Sequence, residues 1–432
     1  MAKKTFHSIS PVRRSILLVT TIALIVVSIF LYVTRPTDVD RINETYLDTI
    51  KDTSILSKNI NTSFKQNYQV KTYTMYGESL KLYHDTALNK TDDLMGANLI
   101  LVNVETQEEI NYTFGSGADE GIKTNQLDPG LYEVYVYDHF VKKRVYFNKK
   151  VHMEPFETVR RNHRVKHISM DADTDYLDDY DIHLKKNYAF ISVTENIPKA
   201  DTVDVMIDPC GDIYDTETNQ VADGLTAGDL TEQKEAYDFA KKVKTELEKY
   251  GLKVQLTRSE DGTPSYSGRN GRVAKGYEHK AKIFLSVGFS QFDTTEKPFL
   301  LVSPHTSGVL ADNISYIMQK NGIKMDDTQS TARQIHEDGV IFDGYNDEND
   351  KYEVWPQLRE SGGKATFAGR YTSSKENQRY KDNPGMYGIY FQFLNGEDKS
   401  SIQYYQKNKT KIVKSLAKGI AYYLDVKKEG SN

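Results

Sequence analysis

One cysteine, Cys210, stands in 432 residues, so no disulfide can form within the chain. It is also far from the only long apolar run, which excludes a lipid-attachment cysteine beside a membrane segment. Basic residues are not in excess: 56 Lys and Arg face 61 Asp and Glu, for a net charge of -5. A nucleic-acid partner is therefore disfavoured, because a phosphate backbone demands a basic face. Long apolar runs are missing as well, with the single exception of Ile16–Val33. A protein exposed outside the cell without disulfides must rest on its hydrophobic cores, and a chain of this length can build two or three of full size.

The exception sets the expected compartment. Ile16–Val33 is about long enough to cross a bilayer as a helix. Lys3, Lys4, Arg13 and Arg14 precede it, which keeps residues 1–15 in the cytoplasm and places everything after Arg35 outside. A cleaved signal peptide is the rival, but Tyr32-Val33-Thr34-Arg35 offers no small-x-small cleavage site. The expected order is a transmembrane helix over 16–34 and a helical stalk with few long-range contacts over 35–67.

From Tyr68 the texture changes to short alternating runs rich in β-branched and aromatic residues: Lys71–Tyr76, Ser79–Tyr83, Asn98–Val104, Glu109–Phe114 and Leu131–Tyr137. They predict a β-sandwich module over 68–198. Asp128-Pro129-Gly130-Leu131 reads as a turn before a strand, with Gly130 expected at positive φ. This stretch resembles the turn and strand of immunoglobulin-like bacterial modules, which implies a spacer. Asp171, Asp173 and Asp175 match the start of a calcium loop, but Tyr176 and Ile182 stand where such a loop needs Gly and a bidentate Glu. An acidic surface loop beside His163, His167 and His183 is the expectation there.

The region 199–428 alternates strand and helix. Strands are predicted at Val203–Asp208, Lys253–Arg258, Lys282–Val287, Pro298–Val302 and Met386–Phe393. Helices are predicted at Glu232–Tyr250, Val309–Lys320 and Ser401–Leu424, the first with Ala236, Phe239, Ala240, Val243 and Leu247 on one face. Apolar strands alternating with helices imply an α/β domain with a parallel or mixed sheet covered on both faces. The polar stretch 325–383 reads as an insertion.

Three motifs in this region carry a resemblance. The first strand ends Asp208-Pro209-Cys210-Gly211-Asp212, Glu232 opens the first helix, and the strand at 282–287 runs into Ser286-Val287-Gly288-Phe289-Ser290. Leu256-Thr257-Arg258, Arg272 and Phe393-Leu394-Asn395 with Glu397-Asp398 follow at fitting intervals. The set resembles the zinc-dependent N-acetylmuramoyl-L-alanine amidases, which cut the peptide stem from bacterial cell-wall glycan. In that family the motifs read Asp-Pro-Gly-His-Gly-Gly, a ligand Glu, Ser-Ile-His, Leu-Thr-Arg and Phe-Leu-Ser-Asn-Pro-Glu-Asp. Laid on that pattern, Gly211 and Gly288 occupy the slots of the two metal-binding histidines, and Tyr390 that of the catalytic Glu. Of the four chemically active positions only Glu232 is kept.

The resemblance therefore implies a degenerate member. A catalytic zinc needs about three protein ligands and an open position for water, and it acts by acidifying that water and polarising the scissile carbonyl. Glycine cannot coordinate, and a phenol with an ordinary pKa of about 10 is a poor substitute for a carboxylate base. No cofactor is expected on this reading. The implied function is a membrane-tethered pseudo-amidase of the bacterial envelope that binds peptidoglycan or a muropeptide, or regulates or scaffolds a cell-wall hydrolase or a division or sporulation protein. One competing reading is an active amidase whose zinc is held by rerouted ligands from Cys210, Asp212, Glu232 or a histidine of the 325–383 insertion. Another is a structural protein of envelope assembly.

Each candidate cleft residue also has a plainer account. Asp229-Leu230-Thr231-Glu232 forms a possible capping box, in which Glu232 satisfies backbone amides of its own helix. Cys210 at a strand end fits a small buried apolar residue. His305 fits a solvated loop. Tyr390 belongs to the alternating aromatic string Tyr387, Tyr390, Phe391 and Phe393, yet on the site side it has the option of stacking on sugar or capping the cleft.

Overall fold

The computed structural model describes residues 20–21, 50, 52–76, 79–83, 98–113, 122–151, 156–158, 164–172, 174–196, 202–215, 219–265, 271–290, 297–302, 308–327, 337–342, 345–346, 351–352, 358 and 386–428. Apart from Thr20 and Thr21, the apolar run Ile16–Val33 lies outside these residues, as do His163, Asp173, His305 and most of the 325–383 insertion. Among the described residues no helix is long and apolar enough to cross a membrane.

The part of the predicted stalk that is described is not free. A short helix, α1 (Ser54–Asn59), buries Leu56, and Ile50 and Ile60 join it in a cluster with Val104, Leu131, Leu177, Ile182, Tyr188 and Phe190. Asn59 Nδ2 donates to the Val104 carbonyl at 2.8 Å. Ile50, Leu56 and Ile60 are thus anchors onto the β unit, and the described part of the segment belongs to that unit.

The β unit contains β1 (Asn67–Val70), β2 (Thr72–Tyr76), β3 (Ser79–Tyr83), β4 (Asn98–Asn103), β5 (Glu109–Thr113), β6 (Ile122–Lys123), β7 (Gly130–Asp138), β8 (Val141–Phe147), β9 (Phe156–Glu157), β10 (Val165–Asp171), β11 (Asn187–Tyr188) and β12 (Phe190–Asn196). Nine of these strands form one sheet, and β2, β3 and β6 form another. β7 is the spine. β4 pairs along one edge of it from Tyr132 to Tyr137, while the other edge is shared by β12 over Gly130–Glu133 and β8 over Tyr135–Asp138. The small sheet contributes Tyr73, Leu80, Leu82 and Ile122 to a common core with Leu99, Leu101, Val134, Val136 and Phe147. The two sheets that share this core are unequal in size, nine strands against three, and β1 runs parallel to β8. Gly130 does not adopt positive φ. It opens β7, where a Cβ would lie 2.5 Å from Asn103 Nδ2. Close approach, not turn geometry, is why glycine stands there.

The domain after residue 202 holds β13 (Val205–Pro209), the hairpin β14 (Ile213–Asp215) and β15 (Gln220–Ala222), the hairpin β16 (Thr226–Ala227) and β17 (Leu230–Thr231), then α2 (Glu232–Glu248), β18 (Val254–Leu256), α3 (Arg272–Glu278), β19 (Ile283–Ser290), β20 (Phe299–Val302), α4 (Val309–Lys320), β21 (Val340–Phe342), the pair β22 (Tyr345–Asn346) and β23 (Lys351–Tyr352), β24 (Tyr387–Asn395) and α5 (Lys399–Tyr423). Its mixed sheet has the order β18-β13-β19-β24-β20-β21. The first four strands are mutually parallel, and β20 is antiparallel to β24.

Alternation along the strands divides the side chains between two faces. Val205, Ile207, Ile283, Leu285, Val287, Ile389 and Phe391 face α2, α4 and α5 in the larger core. Met206 and Phe284 face the short helix α3 through Val273. Both faces are covered, but unequally. The motif Asn395-Gly-Glu-Asp398 resolves as a strand end followed by an N-cap: the Asp398 carboxylate accepts from the Ser400 and Ser401 amides at 2.9 and 3.2 Å.

The β unit contains a buried ion pair. Arg144 Nη2 lies 2.7 Å from Glu133 Oε1, with both side chains out of solvent, and the guanidinium sits 4.2 Å from the Tyr188 ring centre. Tyr135 donates to the other Glu133 oxygen at 2.7 Å, and Arg144 also reaches the Asn61 carbonyl. Removing one partner strands a charge in the interior. Arg144→Ala is expected to lower stability by about 3–5 kcal/mol in chemical denaturation, and an unchanged midpoint would contradict the pairing.

Candidate functional site

The predicted site residues come from four places in the fold. Cys210 directly follows β13, β19 carries Gly288, β24 carries Tyr390, and Glu232 is the first residue of α2. In the sheet register Asp208, Ser286 and Tyr390 stand side by side, with Gly288 two residues further along β19.

Gly288 lies at the centre of a closed cluster. A Cβ built there would come within 2.5 Å of Glu232 Oε1, 2.8 Å of Cys210 Cβ and 2.8 Å of the Tyr390 hydroxyl. Those three side chains fill the space a larger residue would need. Gly211 is closed for two reasons: its φ of 129° is strained for any side chain, and a Cβ would lie 2.6 Å from Gln233 Cα. Gly224 packs back to back with it, where a Cβ would meet Gly211 Cα at 2.7 Å. Glycine is a steric requirement of this packing at both positions.

Glu232 has a structural task. Oε1 accepts from the Phe289 amide at 2.7 Å and Oε2 from the Leu225 amide at 3.1 Å, while the Glu232 amide donates to the Leu225 carbonyl at 2.8 Å. The capping-box account fails because Glu232 is the first helical residue and its oxygens serve β19 and the 225 loop instead of its own helix. Burial pushes its carboxyl above the ordinary glutamate value, while the Phe289 and Leu225 amides and then Arg272 and Arg258 pull the other way.

Cys210 and Tyr390 are buried neighbours. Burial, followed by the Asp208 and Glu232 carboxylates, drives the thiol far up. Burial, then Cys210 and Glu232, raises the phenol well above its usual value. Both therefore keep their protons at neutral pH. Phe299, Leu301 and Leu358 share a cluster with them, and Tyr390 is buried there. Asp212 is directed into the neighbouring loop, where its carboxylate accepts from the Gly224 amide at 2.8 Å and its own amide donates to Gln233 Oε1 at 3.0 Å.

Beneath the cluster lies a polar bracket that the motifs only hinted at. Asp208, fully buried, accepts from Thr257 Oγ1 at 2.6 Å and pairs with Arg272 Nε at 3.2 Å. Arg258 donates to the carbonyls of Pro209, Cys210, Gln233, Ser259 and Glu260 between 2.7 and 3.1 Å. The signal for this bracket was a charged residue ending each of two apolar strands. Of the other singled-out acids, Asp171 is buried in β10 and Asp175 pairs with Lys150, while Asp173 lies outside the described residues.

Among the described residues the side chains do not fit a zinc ion. Two of the implied ligand slots have no room for imidazole, the third holds a carboxylate already bound by two amides, and among the described residues no three His, Cys, Asp or Glu stand together.

No family model matches the chain, and no curated protein matches it. Solved structures similar to it include the N-acetylmuramoyl-L-alanine amidase AmiC2 of Nostoc punctiforme, at 18% identity over 52% of this chain and 99% of that one, with a TM-score of 0.32. They also include the N-acetylmuramyl-L-alanine amidase Ami1 of Mycobacterium smegmatis, at 12% identity over 51% and 96% with a TM-score of 0.35. A third is the catalytic domain of CwlV, an N-acetylmuramoyl-L-alanine amidase from Bacillus (Paenibacillus) polymyxa var. colistinus, at 15% identity over 52% and 100% with a TM-score of 0.32. Each is a distant likeness spanning about half of this chain.

Two outcomes are expected of the site. Gly288→Ala forces a methyl group against Glu232, Cys210 and Tyr390 and lowers stability by about 1–3 kcal/mol, read from the denaturation midpoint; an unperturbed variant would show that the cluster is open. Because the folded-state pKa of Glu232 is raised, the folded form holds its proton to higher pH than the unfolded chain does. Its contribution to stability is then present below the unfolded value, near 4.5, and is lost as pH rises through the folded value. Carboxyl-carbon NMR of Glu232 should titrate above 4.5, and a midpoint at or below that value would contradict the burial argument.

Proposed function

We propose that this chain is a membrane-anchored, extracytoplasmic protein whose C-terminal domain has the architecture of an N-acetylmuramoyl-L-alanine amidase but does not hydrolyse. The domain acts through its surface, binding peptidoglycan or a muropeptide, or engaging a cell-wall hydrolase or another envelope protein. The observation that carries this reading is the packing around Gly288, where Glu232, Cys210 and Tyr390 occupy the volume that any side chain at that position would need. Support for the architecture comes from the order and spacing of the motifs, from Asp208 and Glu232 converging on one end of a mixed α/β sheet, and from α2, β18 and β19 following in the expected sequence. The anchor is inferred from Ile16–Val33 and the basic residues before it.

The test is a metal analysis of the full-length protein coupled to a wall-digestion assay and a muropeptide titration. No stoichiometric zinc, no released stem peptides and saturable muropeptide binding are expected. Hydrolysis abolished by a chelator would overturn the proposal in favour of rerouted ligands. A lack of binding at millimolar muropeptide would leave a purely structural role in envelope assembly.

A further inference from the structure

The hairpin joining β7 and β8 ends in a feature that the amidase reading does not use. His139 and Phe140 form its two-residue tip, with φ of 48° and 63°. Both central residues are left-handed, the geometry for which Asn-Gly is the favoured sequence because side chains disfavour it. Phe140 is fully exposed. The flanking strand ends add Tyr137 and Val141, which are 43% and 41% exposed. A strained backbone thus presents an aromatic ring to solvent at the outermost point of a paired hairpin, whose last rungs are Tyr137 with Lys142 and Asp138 with Val141. Sites where the chain retains such strain are enriched in function.

We propose that this tip inserts Phe140 into the interfacial layer of a lipid bilayer. Two considerations choose a bilayer over a protein pocket. The exposed surface of Phe140 and Tyr137 is roughly 300 Å², small beside the roughly 800 Å² per partner of a stable protein interface, whereas a bilayer accepts a lone convex aromatic without a matching pocket. Ile50, already packed into the β unit, is 17 residues after Val33, the last residue of the apolar run. At about 3.5 Å per residue the tether cannot exceed roughly 60 Å, so the unit stays close to any membrane that run occupies. In this respect the inference rests on the anchoring reading. Charge is not the driving term: Lys143 pairs with Asp138 and Lys142 with Glu109, so contact should change little with salt.

The experiment uses the full-length chain carrying Phe140→Trp in proteoliposomes of phosphatidylcholine and phosphatidylglycerol, with the emission of the parent protein, which has a single tryptophan, subtracted. Emission shifted to shorter wavelength, quenched by lipids brominated near the headgroup and shielded from aqueous iodide, is the expected result. Quenching by iodide with no effect of brominated lipid overturns the proposal. Flotation of the same vesicles after carbonate washing reports on the apolar run separately, since Phe140→Asp leaves the anchor intact. If the chain does not float, adding it to preformed vesicles repeats the same emission test without the anchor, and an unshifted spectrum there again overturns insertion. Phe140→Gly relieves the left-handed strain; it is expected to keep or raise stability while weakening sedimentation with preformed vesicles, a split that a purely structural tip would not produce.

Discussion

The α/β domain is organised by a carboxylate held between two backbone segments. Glu232 joins the start of α2 to the Phe289 amide at the end of β19 and to the Leu225 amide in the loop before β16. This contact requires Gly288 to lack a side chain, because Oε1 occupies the position a Cβ would crowd. Cys210 and Tyr390 complete the packing around Gly288 at this end of the sheet. In an apolar setting a carboxylate fully engaged by amides is a structural element, and its burial cost is offset by those hydrogen bonds.

The second tier of support is electrostatic. Asp208 and Arg272 form a buried pair under the junction, and Arg258 spends its guanidinium on five carbonyls of three separate segments. The planar fork of arginine suits that task, since its donors have fixed directions. These residues hold the ends of β13 and β18 and the beginning of α2 in one arrangement.

Much of the architecture was legible in the pattern of residues. Strands predicted at Val203–Asp208, Lys282–Val287 and Met386–Phe393 and helices at Glu232–Tyr250, Val309–Lys320 and Ser401–Leu424 correspond closely to β13, β19, β24, α2, α4 and α5, because each couples a clear apolar period to a defined boundary. The β unit was read less well. The apolar positions of the 35–67 segment were compatible with a free helix or with docking, and the choice depended on the cluster around Leu131 and Phe190. Gly130 was assigned to turn geometry when its neighbour across the sheet, Asn103, is the reason for it.

The sequence by itself determined that Gly211 and Gly288 offer no ligand, that a single cysteine builds no disulfide, and that helix and strand alternate after residue 202, since residue type and periodicity are local properties. Only the tertiary structure decided what fills the places of the absent side chains. Whether a glycine leaves a hole or relieves a clash depends on groups distant in the chain: Glu232 and Gly288 are 56 positions apart, and Tyr390 comes from another strand. The same holds for Phe140, which in sequence is one aromatic among many and in the folded hairpin is the side chain left with no neighbour to cover it.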